Sequence, residues 1–221
     1  MNLSEQTVSI LKNFSTINQN LLVKKGKVLN TMSAMKNIVA KADVEEEFPV
    51  DFAIYDLNEF LSCMSLFEKP QLSFNDDYVV ISETNSKGKK LKYWFSDPSV
   101  VTSPSKELTM PSSEVTFPMD STILSEVQKA AAVIGAPDMV LESGELKVTD
   151  KKNSNANSYS SPIDANSENS AYKFWFKVEN LKLLPGSYDV QVSSKRISHF
   201  QNQKLPVGYF IALEPESSYG N

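Results

Sequence analysis

The stretch Pro49–Phe67, PVDFAIYDLNEFLSCMSLF, reads as a short strand that runs straight into an amphipathic helix. Asp56 is placed to cap that helix, and Glu59 stands where a capping-box carboxylate belongs. Leu57, Phe60, Leu61, Met64 and Phe67 recur at helical spacing and so share one face. The other face carries Asn58, Glu59, Ser62 and Ser65, which make no nucleophile with a base, no metal ligand set and no phosphate loop. The stretch is architectural. The fold is decided by how often its strand-and-helix pattern returns.

Upstream, Leu3–Asn18 has a second helical period, with Val8, Leu11, Phe14 and Ile17 inward and Ser9, Lys12, Asn13 and Thr16 outward. Asn20–Lys24, Lys27–Met32 and Ile38–Val44 suit strands. Downstream, Gln71–Phe74, Tyr78–Glu83 and Lys90–Phe95 do the same, with turn residues at Asn75-Asp76-Asp77 and Asn85-Ser86-Lys87-Gly88. Residues 96–112 are rich in Pro, Ser and Thr and read as a connector between a domain at 1–95 and another at 113–221.

The second half begins again with a strand, Glu114–Pro118, and a helix, Thr122–Ile134, capped by Asp120 or Ser121 and stopped by Gly135. Ser125, Gln128, Lys129 and Ala132 lie on its outward face. Asp138–Glu142 and Glu145–Thr149 form a hairpin around Ser143-Gly144. Lys151–Ser170, dominated by Ser and Asn, reads as a mobile loop. Tyr172–Val178, a turn or two of helix at Glu179–Leu184, and strands at Tyr188–Ser193, Ile197–Gln201 and Gly208–Leu213 follow. A frayed polar tail is expected after Glu214. The order of elements therefore repeats between the halves, without visible identity.

Composition narrows the function classes. The chain has 221 residues, is 41% hydrophobic and 22% charged, and fits one large domain or two small ones. A net charge of −5, from 27 acidic and 22 basic residues, argues against gripping nucleic acid over the whole surface. It leaves room for basic residues gathered in one place. Arg196 is the single arginine, so bidentate reading of guanine edges is disfavoured. Cys63 reads as a reduced structural thiol, and no apolar run approaches the ~20 residues that span a bilayer. A cytosolic protein is expected.

Catalytic constellations are missing. His199 is the one histidine and lies in a strand-like segment. Glu45-Glu46-Glu47 reads as a solvated acidic turn rather than a metal site. No Gly-rich phosphate loop, paired CxxC or HExxH occurs. Lys12, Lys129, Lys177 and Lys182 fall on or beside predicted helices, where a solvated surface lysine is the ordinary outcome.

LSEQTVSILKNFSTIN at 3–18, DFAIYDLNEFLSCMSLF at 51–67, NLKLLPGSYDV at 180–190 and GYFIALEPES at 208–217 together resemble the trimeric DNA sliding clamp of large tailed bacteriophages. The resemblance spans nearly the whole chain. It implies an α+β DNA-clamp fold with two similar domains per subunit, helices lining the interior of a homotrimeric ring and antiparallel sheets outside. It further implies a protein that is not an enzyme and needs no cofactor. Its partners would be encircled duplex DNA, the replicative DNA polymerase, an ATP-dependent clamp loader and RNA polymerase-associated late transcription factors, in the cytoplasm of an infected bacterial host. Lys12 and Lys129 would then line the hole with Lys177 and Lys182 nearby, although the 57–67 helix offers Glu59 and no lysine. A partner peptide would dock on Met32, Val39, Val101, Leu108, Pro206, Tyr209 and Ile211.

Two other readings stay open at this point. One is a phage tail or baseplate protein. The other is a single-stranded DNA-binding protein with Tyr93, Trp94, Phe174 and Trp175 as stacking platforms.

Overall fold

Ser4 starts the first helix: its hydroxyl accepts from the Thr7 N–H at 3.2 Å, and α1 (Glu5–Ile17) follows. Ile10, Leu11, Phe14 and Ile17 turn inward, and Val8 is half-buried. The computed structural model describes residues 1–83 and 88–220. The chain divides into two compact units, Met1–Lys106 and Glu107–Asn221.

In the first unit α1 leads into β1 (Leu21–Val23), β2 (Gly26–Met32), β3 (Ile38–Phe48) and β4 (Phe52–Ile54). Next come α2 (Leu57–Ser65), β5 (Gln71–Phe74), β6 (Tyr78–Ser82) and β7 (Lys90–Trp94). All pairings are antiparallel: β1 with β4, β2 with β3, and β5–β6–β7 as a meander. The turn expected at residues 85–88 lies, apart from Gly88, outside the described residues.

The stretch Pro49–Phe67 forms the expected strand and capped helix, with Leu61 and Phe67 only half-buried. Asp56 Oδ1 accepts from the Asn58 and Glu59 N–H groups at 3.0 Å each, and Leu57, Phe60 and Met64 are buried. Phe52, on the strand part, stacks on Phe95 with centroids 4.9 Å apart and meets Phe74 at 5.2 Å and Phe48 at 5.7 Å. One stretch thus joins both sides of the unit's core.

Strand β3 runs further than the pattern indicates, so Glu45-Glu46-Glu47 is strand and not a solvated turn. Alternation separates Glu46 from its neighbours. Its carboxylate accepts from the Ser4 N–H and the Thr7 hydroxyl and so fastens the start of α1. Burial pushes the Glu46 carboxyl up, but those bonds outweigh it and hold it below the ordinary value of 4.5. A depressed pKa contributes stability above the unfolded value, and that contribution is lost as pH falls through the folded one. Glu46→Gln is expected to lower the thermal midpoint at neutral pH and to make little difference once the pH lies below the folded value. An equal gap at both pH values would contradict the assignment.

The second unit contains β8 (Val115–Met119), α3 (Ser121–Ile134), β9 (Asp138–Glu142), β10 (Glu145–Thr149), β11 (Tyr159–Pro162) and β12 (Asn166–Ser167). They are followed by β13 (Tyr172–Lys177), a 3-10 turn (Val178–Asn180), β14 (Tyr188–Ser193), β15 (Ile197–Asn202), β16 (Val207–Ala212) and β17 (Ser218–Tyr219). One antiparallel sheet has the order β11-β10-β9-β13-β17, and β12, β8, β14, β15 and β16 lie side by side in another. Ser143 (φ 49°) and Gly144 (φ 81°) are both left-handed, as the tight β9–β10 hairpin requires.

Two expectations fail here. Lys151–Ser170 is not simply a loop, because β11 pairs with β10 and the Tyr159 hydroxyl donates to Glu126 of α3 at 3.1 Å. Its Ser/Asn composition supplies little core, but strand pairing needs only a free sheet edge, and β10 offers one. Nor is the tail frayed: Ser218 and Tyr219 add a fifth strand beside β13.

Candidate nucleic-acid interface and docking residues

The same physical chemistry places one exposed lysine on a helix of each unit. In α1 the inward spacing of Ile10, Leu11 and Phe14 leaves Lys12 exposed with Ser9 and Thr16. Lys12 forms part of the rim of a cavity of about 420 Å³ between α1 and α2, with Leu3, Val8, Leu61, Met64 and Phe67 along its wall. The outward face of α2 is neutral apart from Glu59. There Ser62 donates to the Asn58 carbonyl and Ser65 to the Ser62 carbonyl, each at 2.7 Å, so these hydroxyls fold back on the helix.

In α3, Asp120 Oδ1 accepts from the Thr122 and Ile123 N–H groups at 2.8 Å, and Gly135 closes the helix in the left-handed conformation at φ 65°. Leu124, Val127 and Ala131 are buried, which leaves Ser125, Lys129 and Ala132 exposed. Gln128, expected outward with them, is half-buried: its Nε2 donates to the Leu181 carbonyl at 2.9 Å. That bond ties α3 to the segment after the 3-10 turn, where Lys182 is half-buried.

Lys177 stands apart from Lys12 and Lys129. At the end of β13 its ammonium lies 2.6 Å from Asp138, whose side chain is 1% exposed, and 3.9 Å from Glu214. The second oxygen of Asp138 accepts from the Lys151 N–H at 3.1 Å. The charge of Lys177 is matched by carboxylates within its own unit.

The docking residues separate by strand phase. Met32 and Val39 are direct partners across the β2–β3 hairpin, and both are half-buried. Asn18 Nδ2 donates to the Met32 carbonyl at 2.8 Å and to the Thr102 carbonyl at 3.4 Å. Asn20 accepts from the Thr102 N–H at 2.8 Å. These bonds bring the half-buried Val101 to the same end of the hairpin. In the second unit, Leu108 and Pro206 are exposed. Tyr209 and Ile211, both 0% exposed, point into the core from β16.

Tyr209 accepts from the Leu184 N–H at 3.3 Å and meets Tyr188 edge-on with centroids 6.1 Å apart. Burial pushes the Tyr188 hydroxyl up to about 12 and raises that of Tyr209 as well. These are core tyrosines, beyond the reach of a peptide on the surface. Their neighbour Phe210 faces the other way and stacks on His199 at 4.4 Å.

Met35, 82% exposed at the tip of the β2–β3 hairpin, is a surface residue that the motifs do not flag. An apolar residue inside a polar turn is the one local signal for it. Trp94, at 61% exposed, is the most open of the four stacking platforms. Phe174 is buried, and Tyr93 and Trp175 are half-buried. Among the described residues no group of three or more His, Cys, Asp or Glu side chains is placed to hold a metal ion. No helix among them is long and apolar enough to cross a membrane.

Residues 4–103 match the family model of the DNA polymerase processivity factor. Over 223 aligned residues the chain is 31% identical to the sliding clamp of Vibrio phage KVP40, covering 97% of this chain and 99% of that one. It is 28% identical to the sliding clamp of Escherichia phage RB69 over 99% of each. Among solved structures, the PCNA2–PCNA3 complex of Sulfolobus tokodaii superposes with a TM-score of 0.70 at 10% identity, over 98% of both chains. At that identity the likeness speaks to the fold alone.

Proposed function

Because this chain belongs to the sliding-clamp family, we propose that it acts as a topological tether: copies close around duplex DNA and hold the replicative DNA polymerase on its template. The observation that supports this best is a pattern present in both units of a chain related end to end to sliding clamps. Each unit carries antiparallel sheets and a helix with one exposed lysine, Lys12 or Lys129, on its outer face. Such sparse charge suits sliding. Coulombic attraction to phosphate is non-specific, and few contacts mean little friction.

The family is one of scaffolds, and this chain is proposed to have no enzymatic activity. A clamp loader that hydrolyses ATP and RNA polymerase-associated late transcription factors extend the same reading, as does action in the cytoplasm of the infected host. For the partner peptide we propose the surface of the first unit at Met32, Val39 and Val101, without the core residues Tyr209 and Ile211.

DNA topology provides the decisive test. Protein loaded on circular DNA should be retained and should run off once the circle is cut; equal retention on both forms would sink the proposal. The lysines have their own measurement. Lys12→Ala with Lys129→Ala should lower the slope of log K against log salt by about 0.9 for each phosphate no longer neutralised, with an unchanged unfolding midpoint. An unchanged slope would remove these two residues from the DNA surface.

Ring closure needs edges between copies, and a homotrimer is the assembly we propose. Strand β5 has its outer side occupied by Met1, which donates to the Leu72 carbonyl at 2.8 Å and accepts from the Leu72 N–H at 2.7 Å. The open edge of that sheet is β7, which ends in the exposed Trp94, and β11 is an open edge in the second unit. An uncovered strand edge beside a large exposed aromatic is a ready site for strand addition. Trp94→Asp should reduce the mass in light scattering from three times 24.6 kDa toward 24.6 kDa. An intact trimer in that variant would place the contact elsewhere.

A further inference from the structure

The segment after β16 is held along β13 by charged, main-chain and ring contacts. Lys151 Nζ, with its side chain 11% exposed, lies 3.0 Å from Glu214 and 3.0 Å from Glu216. The Trp175 carbonyl accepts from the Glu214 N–H at 2.8 Å, and the Trp175 N–H donates to Ser217 Oγ at 2.9 Å. Tyr219 pairs with Tyr172 and Ser218 with Lys173, and the Gly220 N–H donates to the Ala171 carbonyl at 2.8 Å. The Tyr219 ring stacks on Phe174 at 6.3 Å.

The occupant fits imperfectly. A side-chain hydroxyl, that of Ser217, stands where an added strand would present a main-chain carbonyl to Trp175. Pro215 contributes no N–H, and the ladder proper is only two residues long. Ladders this short open readily compared with the central strands of a sheet. Lys173 and Lys177 are matched by Glu142 and Asp138, whereas both carboxylates on Lys151 come from the tail, so that lysine makes the edge complementary to acidic chain.

We propose that the outer edge of β13 is a peptide-binding site occupied in cis by the chain's own C-terminal segment. The partner it fits is an extended acidic segment of another protein, Glu-x-Glu followed three residues later by an aromatic, which displaces the tail and adds as a strand. Its first two carboxylates take Lys151, its backbone completes the ladder to Trp175, and its aromatic replaces Tyr219 on Phe174. The site is separate from the helix-face lysines and from Met32, Val39 and Val101, so it stands or falls independently of the clamp reading.

The test uses the full chain and a fluorescein-labelled peptide, Ala-Leu-Glu-Val-Glu-Ser-Thr-Tyr, followed by fluorescence anisotropy. Saturable binding is expected, and in the Tyr219→Ala background, where the resident tail competes less, Lys151→Ala should weaken it about tenfold or more, because two charge-assisted hydrogen bonds to the peptide are removed. Tyr219→Ala loosens only the resident tail and should change affinity in the opposite direction, tightening the peptide. Bound peptide should also speed deuterium exchange at the Glu214 and Gly220 amides. Absence of saturable binding to Tyr219→Ala up to about 1 mM would overturn the proposal, since the site would then lack even millimolar affinity. Equal binding to Tyr219→Ala with and without Lys151→Ala, or equal binding of a scrambled peptide of the same composition, would overturn it too.

Discussion

Lys177→Ala is expected to destabilise the second unit by about 3–5 kcal/mol, toward the lower end because the lysine itself keeps some exposure to solvent. The reason lies in what remains. Asp138 is 1% exposed, and its Oδ1 lies 2.6 Å from the ammonium that the substitution removes. Its other oxygen retains the Lys151 N–H at 3.1 Å, so a buried carboxylate is left with one main-chain partner and no counter-charge. Glu214 is deprived of a cation 3.9 Å away at the same time. Urea unfolding measures the effect as a fall in midpoint.

Two comparisons separate this role from DNA binding. Lys177→Met combined with Asp138→Leu removes the pair together and should recover much of the stability, because no buried charge is stranded. If Lys177 acted mainly on phosphate, the single variant would keep its midpoint and show weaker salt-dependent affinity instead. That outcome would overturn the structural assignment.

The second large effect falls on the stretch that decides the fold. Phe60→Ala should cost about 3–5 kcal/mol by removing a buried aromatic and leaving a cavity that α2 cannot close alone. Phe60 is 2% exposed and meets Tyr93 of β7 edge-on, with centroids 5.2 Å apart. Tyr93 in turn donates from its hydroxyl to the Asp56 carbonyl at 3.4 Å, so the ring anchors the first turn of the helix to the sheet. Leu61→Ala and Phe67→Ala, at half-exposed positions beside α1, should each cost about 1 kcal/mol. DNA affinity of folded Phe60→Ala should stay near that of the wild type. A midpoint that scarcely moved would mean the ring is not packed as described.

Much of this architecture is legible in the order of residues. Caps at Ser4, Asp56 and Asp120, the left-handed stop at Gly135 and the apolar spacing in all three helices are local signals, written within a few residues of where they act. The exposure of Lys12 and Lys129 follows from the same spacing, since what is not on the buried stripe faces outward. The ion pair of Lys177 is not legible there, because its partner, Asp138, is 39 residues away and no local pattern names it. For Tyr209 and Ile211, position near the end of the chain is a poor guide. The phase of β16 sends both inward and Phe210 the other way, and that phase depends on which face the unit buries.

The Ser/Asn-rich segment and the tail show the same division. Composition correctly describes chain that builds little core, but it cannot reveal that β10 and β13 each keep an edge for a short strand. Where helices and turns begin and end, and which residues share an apolar face, follow from backbone preferences and spacing. The whole-chain kinship with sliding clamps rests instead on residue identities. Tertiary structure alone decided which lysines are free, which apolar residues remain on the surface, and which sheet edges stay open. Each of these depends on residues far apart in the chain, and its energy exists only once folding brings both partners together.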